Sequence, residues 1–289
     1  MSAPLANLAV VTVSYNSSAQ LEPFLASIAA QSGRPAQVVI ADNASADVAR
    51  SRVIADASGV RLLELHENRG YGGAVNAAVA SLPSSVTEVL ISNPDVELLP
   101  DSLAVLSASM DLDPMVGAVG PLILNADGTV YPSARNLPSL RTGIGHALFS
   151  RSWPTNPWTR SYRAERAVEV ERRDAGWLSG SCLLVRRSAF EEIGGFDEGY
   201  FMYFEDVDLG YRLGRAGWKN RYEPSTSVTH VGGLSTMNES ARMLRAHHES
   251  ALRYLRQAYP GPLLAPLRWS LEAGLRVRSW YLVRRHAQR

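Results

Sequence analysis

LAVVTVSY, residues Leu8–Tyr15, is apolar and β-branched at nearly every position and closes on a hydroxyl and an aromatic ring. A run so short and so uniformly apolar reads as a buried strand. The segments after it repeat the pattern. Leu21–Gln31 reads as a helix, Val38–Ala41 as a strand, Ala46–Ala57 as a helix, Val60–Leu65 as a strand, Ala74–Leu82 as a helix and Val86–Ile91 as a strand. Strand–helix alternation with short connections implies a mainly parallel sheet covered on both faces, an α/β fold. Ligands are then expected beyond the carboxyl ends of the strands.

The remaining elements read less regularly. Ser102–Asp111 is patterned as a helix, and Val116–Leu124 runs into Asn125-Ala126-Asp127-Gly128 as the first arm of a hairpin. Residues 133–174, rich in Arg, Pro and Trp, lose all periodicity and read as mobile loops beside a site. Order returns with Trp177–Val185; Ser188–Ile193 reads as a short helix and Glu205–Ala216 as a strongly patterned one, and Lys219–Tyr222 and Ser227–Val231 read as a strand pair. The organisation expected is one unit over residues 1–235 followed by basic amphipathic helices over 236–289.

Composition narrows the class. With 46% hydrophobic and 20% charged residues the 289-residue chain is globular rather than disordered or fibrous. No apolar run approaches the roughly 18 residues of a membrane span, and the N-terminus lacks a secretory pattern, which places the chain in the cytoplasm. A single cysteine, Cys182, excludes an internal disulfide and a cysteine-rich zinc site, so any metal must be held by oxygen or imidazole. The net charge of +1 hides an asymmetry: ten arginines against Glu249 and Glu272 give Arg242–Arg289 a charge of +8 and leave −7 on residues 1–241. Such a tail, bearing Trp and Tyr, suits a peripheral anionic membrane surface; a solvated helix face or a homodimer element explains it too. Nothing in the sequence points to nucleic acid as the partner.

The polar clusters fall at strand ends. Ser14, Tyr15 and Asn16 close the first strand without the glycine-rich turn of a P-loop, and read as a plain strand end or as groups edging a base or ribose. Asp42 and Asn43 close the second strand; Asp42 either caps the next helix or accepts the imide N–H of a pyrimidine. Asn68, Arg69, Gly70, Gly73 and Asn76 belong to NRGYGGAVN, which has valine where a dinucleotide fingerprint needs its last glycine. That loop is a tight packing turn or a close approach of backbone to an anionic ligand. Asp95, in Asn93-Pro94-Asp95, suits a hard divalent cation whose other ligands are phosphate and water, though an NPD sequence is also an ordinary turn. Glu205 and Asp206 open a helix after an aromatic run; the helix dipole explains one or two acids there, and apolar walls would raise a carboxylate pKa towards that of a general base. His230, beside Gly232 and Gly233, is a core or surface histidine or a neutral imidazole ligand.

Taken in order, VSYN, DNAS, NRGYGGAVN, NPD, WLSGSCLLVRR, GGFDEGYFMYFEDVDLGYRLGRAGW and THVGG resemble the inverting family-2 glycosyltransferases of GT-A fold, from about Leu8 to Gly233. Within that family the chain looks most like actinobacterial transferases that add L-rhamnose from dTDP-rhamnose to polyprenyl-diphosphate-linked N-acetylglucosamine in cell-wall polysaccharide synthesis; galactofuranosyl- and rhamnan-building enzymes share many of these motifs. The resemblance implies a three-layer fold with a C-terminal helical extension and a dTDP- or UDP-sugar donor contacted by Asp42 and the 68–76 loop. It further implies a lipid-linked saccharide acceptor, Asp95 as the last residue of a DXD motif, His230 as a second ligand to Mg²⁺ or Mn²⁺, and Asp206 as the base. Trp177, Gly180, Arg135 and Glu205 would shape the sugar and acceptor pocket. Asn93 replaces the first DXD carboxylate, which implies weak, donor-assisted metal binding. A nucleotidyltransferase would need a glycine-rich first loop and a catalytic lysine, whereas Lys219 is the only lysine. A non-catalytic nucleotide-sugar sensor would not need the acidic pair.

Overall fold

A computed structural model of the chain describes residues 4–139, 155, 170–232, 241–266, 268–274 and 276. Twelve strands and seven α-helices lie among the described residues. The first half alternates as the sequence implies: β1 (Pro4–Ser14), α1 (Ser18–Ala29), β2 (Arg34–Asp42), α2 (Val48–Ser58), β3 (Arg61–Glu64), α3 (Gly70–Ala80), β4 (Glu88–Ser92), β5 (Val96–Leu98) and α4 (Ser102–Asp111). There follow β6 (Val116–Asn125), β7 (Val130–Tyr131), β8 (Ala134–Arg135), β9 (Arg173–Ala175), β10 (Trp177–Leu178), β11 (Cys182–Arg186), α5 (Arg187–Glu192), α6 (Glu205–Arg215), β12 (Lys219–His230) and α7 (Ala241–Ala258).

The main sheet runs β3-β2-β1-β4-β11-β6-β12-β5, with β7 paired to β6 and β9 to β12; β8 and β10 form a separate two-stranded ribbon. β3, β2, β1 and β4 are mutually parallel, while β11 lies antiparallel between β4 and β6. Side chains of β1 alternate between two apolar layers. Ala9, Val11 and Val13 pack with Ala74, Val75 and Ala78 of α3, whereas Leu8 and Val10 pack with Leu21 and Phe24 of α1. β11 does the same, Leu183 and Val185 on one side, Cys182 and Leu184 on the other. Each such side chain, buried from water, contributes roughly 1.5–3 kcal/mol, which fixes register because a one-residue slip would exchange the two layers. Cys182 is buried in this core and its thiol is pushed up to about 12 by burial, so it is inert.

Within Trp177–Val185 the chain leaves the ribbon at Leu178 and joins the main sheet only at Cys182, so Ser179-Gly180-Ser181 forms a connecting strap. Contrary to the strand pair expected there, Lys219–His230 is a single strand. Its register slips between Glu223 and Ser227, where Pro224 has no N–H to give the ladder. The expected loops of 133–174 lie mostly outside the described residues, and Asp174 falls in β9. α7 packs back on the main unit, with Tyr254 buried against Tyr200 and Val207.

Antiparallel pairing decides where the polar clusters meet. Because Cys182 pairs with Ser92, the strap before β11 lies at the carboxyl end of β4. Because His230 pairs with Val96, the end of β12 lies beside Asp95.

Gly70 starts α3 at φ +73°, and a Cβ there would run into the carbonyl of Phe201; Gly59 has φ +63° but open space around it. Both Gly→Ala changes carry left-handed strain of about 1 kcal/mol, and only Gly70→Ala adds the collision. Gly70→Ala is expected to lower Tm by at least about 3 °C more than Gly59→Ala, a difference of about 1 kcal/mol at this size. Equal losses in thermal unfolding would show that the Gly70–Phe201 contact yields freely.

Candidate active site

The Ser179-Gly180-Ser181 strap is bonded on both sides. The Ser181 carbonyl accepts the Asn93 N–H at 2.9 Å, and the Gly180 N–H donates to Asp206 Oδ2 at 3.0 Å. Between them the Tyr71 hydroxyl donates to the Gly180 carbonyl at 2.7 Å. Three peptide units therefore tie the NPD turn, the first turn of α3 and the first turn of α6 to one cleft. The Tyr71 hydroxyl is held above its ordinary pKa by burial first, and then by the charges of Glu205, Cys182, Asp206 and Asp95, which places both expected acidic centres within electrostatic reach of one phenol.

At the NPD turn, Asp95 Oδ1 and His230 Nε2 lie 3.1 Å apart and the Asn93 side-chain amide is 3.5 Å from the same nitrogen. The Val231 N–H, at 2.9 Å from the Asp95 carbonyl, pins the two segments together. Asp95 and His230 each keep about a fifth of their side-chain surface exposed. A carboxylate oxygen and an imidazole nitrogen adjacent to each other and partly exposed have the chemistry to hold a divalent cation that takes its remaining ligands from a diphosphate and water. Among the described residues no group of three or more His, Cys, Asp or Glu side chains converges, so the protein alone offers a sparse set.

At the start of α6, Asp206 Oδ1 accepts its neighbour Val207's N–H at 2.8 Å, and Glu205 Oε2 is buried with no partner. Burial raises both carboxyls above their ordinary values; the Asp206 charge raises Glu205 further, while backbone N–H bonds and the Arg135 guanidinium partly offset the rise at Asp206. The turn into the helix is strained, with Tyr203 at φ +66° and Phe204 at +65°, conformations that cost bulky residues about 1–3 kcal/mol each and cluster at functional sites. Across the cleft, Arg135 of β8 pairs in register with Trp177 of β10; its guanidinium sits 5.6 Å from the Trp177 ring and 5.8 Å from that of Tyr131. Gly180 faces Asp206 so closely that a Cβ would lie 3.3 Å from the aspartate Cβ.

The donor-side residues form a second group at the ends of β1 and β2. Asp42 Oδ1 accepts the Ser45 N–H at 2.9 Å within the connecting turn, so it does not cap α2, whose N-cap position is Asp47; Oδ2 is buried without a partner. Leaving a buried acceptor unmade costs about 1–3 kcal/mol, and a ligand N–H would satisfy it. Ser14 bonds Ser17 at 3.1 Å, Asn16 sits at φ +53° with its carbonyl oxygen on the Ala46 N–H, and Tyr15 is about half exposed. Asn43 ties loops together, giving its amide to Asn68 and Gly70 at 3.0 Å and accepting the Arg69 N–H. Asn76 likewise clasps Phe196 from both sides at 2.9 Å, and Arg69 pairs with Glu198 at 2.9 Å. Gly73 packs its α-carbon face on Arg69. Tyr71, Ser181 and Glu198 were not singled out by the sequence; Tyr71 lies within the NRGYGG loop and Ser181 within WLSGS, but no spacing rule marks a tyrosine or serine whose role is to bond backbone.

Residues 9–194 match the family described as glycosyl transferase family 2. Over 98% of its length, and over 94% of the relative's, the chain is 47% identical to N-acetylglucosaminyl-diphospho-decaprenol L-rhamnosyltransferase of Mycobacterium tuberculosis. It is 42% identical, over 64% of its length and 70% of the relative's, to rhamnosyltransferase WbbL of Escherichia coli K12. Among solved structures, the mannosyltransferase PcManGT of Pyrobaculum calidifontis, in complex with GDP-Man and Mn²⁺, superposes with a TM-score of 0.61 at 18% identity, covering 98% of this chain and 73% of that one. The fold is thus the GT-A glycosyltransferase fold.

Raised carboxyl pKa values have a sign for stability. A buried carboxyl that prefers its proton when folded stabilises the protein below its unfolded value, near 4, and that contribution is lost as pH rises through the raised folded value. Glu205→Gln is therefore expected to raise Tm in mildly alkaline buffer with chelator, by about 2–4 °C for each 1 kcal/mol relieved, and to leave it unchanged below about pH 4. A Tm gap between variant and parent that does not change with pH would contradict the buried charge.

Proposed function

The chain belongs to glycosyl transferase family 2, and from that premise we propose that it moves L-rhamnose from dTDP-L-rhamnose onto a hydroxyl of a polyprenyl-diphosphate-linked N-acetylglucosamine, with inversion at the anomeric carbon. The observation that carries the chemistry is the Ser179–Ser181 strap, which ties the Asp95–His230 pair and Asp206 to one cleft. The choice of sugar and acceptor rests on the near full-length likeness to the mycobacterial rhamnosyltransferase.

In this reading Asp206 removes the proton from the acceptor hydroxyl as it attacks. Its burial keeps the carboxyl basic enough for that transfer, and the Gly180 N–H holds Oδ2 in orientation. Glu205 shapes the pocket beside Asp206, and Trp177, Gly180 and Arg135 wall it on the acceptor side. On the donor side the orphaned Asp42 Oδ2 takes the imide N–H of thymine or uracil, beside Ser14, Tyr15 and Asn16. Asn43, Asn68, Arg69, Gly70, Gly73 and Asn76 support that pocket by fixing its loops. Asp95 and His230, with Asn93 alongside, would hold Mg²⁺ or Mn²⁺ together with the donor. Such a cation supplies charge neutralisation at the departing nucleoside diphosphate.

No helix among the described residues is long and apolar enough to cross a membrane. The acceptor's polyprenyl chain is membrane-embedded, and the exposed Leu263, Leu264 and Trp269 near Arg268 suit a peripheral position on an anionic leaflet.

Asp206→Asn is expected to lower kcat by about 10²–10⁴ with donor KM nearly unchanged, measured with dTDP-rhamnose and a short-chain polyprenyl-diphospho-N-acetylglucosamine. Unchanged turnover would remove Asp206 from the role. Truncation from Leu263 onward leaves α7 whole and is expected to weaken sedimentation with anionic liposomes while donor binding persists; equal sedimentation would make the tail structural.

A further inference from the structure

We infer that α7 is a clamp that positions the catalytic carboxylates: one face of it, carrying Ser250, Arg253, Tyr254 and Gln257, holds the Asp197–Phe204 segment in the conformation that presents Asp206 to the cleft. The inference deepens the proposed reaction and rests on Asp206 being its base.

The four α7 residues are spaced three and four apart, so they share one helix face. Asp197 is the hub of their contacts. It accepts from Arg253 Nε and Nη2 at 2.9 and 2.8 Å, from Gln257 Nε2 at 2.8 Å and from the Gly199 N–H at 2.9 Å. Tyr200, fully buried, donates its hydroxyl to Gln257 Oε1 and has the Arg253 guanidinium 5.4 Å from its ring. Ser250 Oγ donates to the Met202 carbonyl at 2.8 Å. The Tyr254 ring lies 5.8 Å from Phe204 and 6.1 Å from Tyr211 of α6.

The segment so gripped needs a grip. Tyr203 and Phe204, both left-handed, immediately precede Glu205, and an aromatic residue stays in that conformation only where its surroundings over-determine it. On the opposite side α3 holds this segment and the residue before it: Asn76 clasps Phe196, and the Phe201 carbonyl accepts the Tyr71 N–H at 3.3 Å. α3 and its leading loop belong to the donor side, so the segment is held between that side and α7. Freed from α7, the turn can relax towards ordinary backbone, which rotates the first turn of α6 and lets water reach the acidic pair. The titratable groups facing that pair are Arg135 of β8, Tyr131 of β7 and Tyr71 of α3, while His247 of α7 packs on the Tyr203 and Phe204 rings.

The test uses the full-length enzyme and the variants Arg253→Ala, Gln257→Ala and their double, with Arg253→Lys as the conservative control and Asp206→Asn in parallel. The double variant is expected to lower kcat by about tenfold to a hundredfold, as small misplacements do, with donor KM within about twofold. Its acidic limb of kcat moves to lower pH as hydration of the carboxylates returns their pKa towards ordinary values, and Arg253→Lys recovers part of the loss. A helix that merely adds stability would lower kcat in proportion to the unfolded fraction, read by circular dichroism, with the acidic limb unmoved; that result overturns the clamp. Should the double variant fail to fold, Gln257→Ala alone must still shift the limb. An inactive Asp206→Asn beside an unmoved limb sinks the clamp only, while an active Asp206→Asn sinks the base assignment and the clamp with it.

Discussion

Two hydrogen bonds to one short strap organise the cleft: Gly180 N–H to Asp206 and Asn93 N–H to the Ser181 carbonyl. The strap that makes them exists because β10 and β11 belong to different sheets, so the chain must cross between them at the carboxyl end of β4. That crossing sets the acidic start of α6 against the NPD turn, and the antiparallel pairing of β12 with β5 adds His230 to the same place. The β12–β5 pairing and the Asn93–Ser181 bond are backbone to backbone, and the strap meets a carboxyl only at Asp206. The cleft is thus assembled largely by backbone geometry.

The carboxylates of the cleft are kept in different environments. Asp95 is partly exposed and shares its position with an imidazole, a setting in which a cation is bound only as strongly as its other ligands allow. At Glu205 and Asp206 desolvation outweighs the hydrogen bonds and raises both carboxyls, which makes the carboxylate, once ionised, a stronger proton acceptor. One fold gives two kinds of acid by controlling water, and the aromatic turn at Tyr203–Phe204 is part of that control. The left-handed backbone there explains why so many contacts from α3 and α7 converge on residues 196–204.

Much of this was legible from residues alone. The alternation from Leu8 onward reports two-sided burial directly, since apolar runs on both faces have no other stable use, and the element order of the first half follows from it. Asp42 was open between a cap and a ligand contact; the N-cap position of α2 is Asp47 instead, while one Asp42 oxygen holds the Ser45 N–H and the other has no protein partner. What escaped reading depends on backbone bonds or on distant pairs. Trp177–Val185 reads as ordered throughout, and only the two-sheet topology breaks it at Ser179. Lys219–Tyr222 and Ser227–Val231 read as two strands, whereas they are one strand whose ladder carries an irregularity between Glu223 and Ser227. Asn43 and Asn76 have the chemistry of ligand contacts, but the same amide groups serve equally as ties between loops, and the structure spends them there. The α7 contacts join residues fifty or more apart, beyond the reach of any periodicity.

The central claim is a single displacement at the anomeric carbon, driven by one carboxylate opposite the departing diphosphate and with no sugar bonded to the protein on the way. The most direct measurement is the anomeric configuration of the transferred sugar, read by proton and carbon nuclear magnetic resonance of the purified product against that of the donor. The account predicts the opposite configuration in every turnover. A product with the donor's own configuration would require a covalent or front-face route and would contradict it.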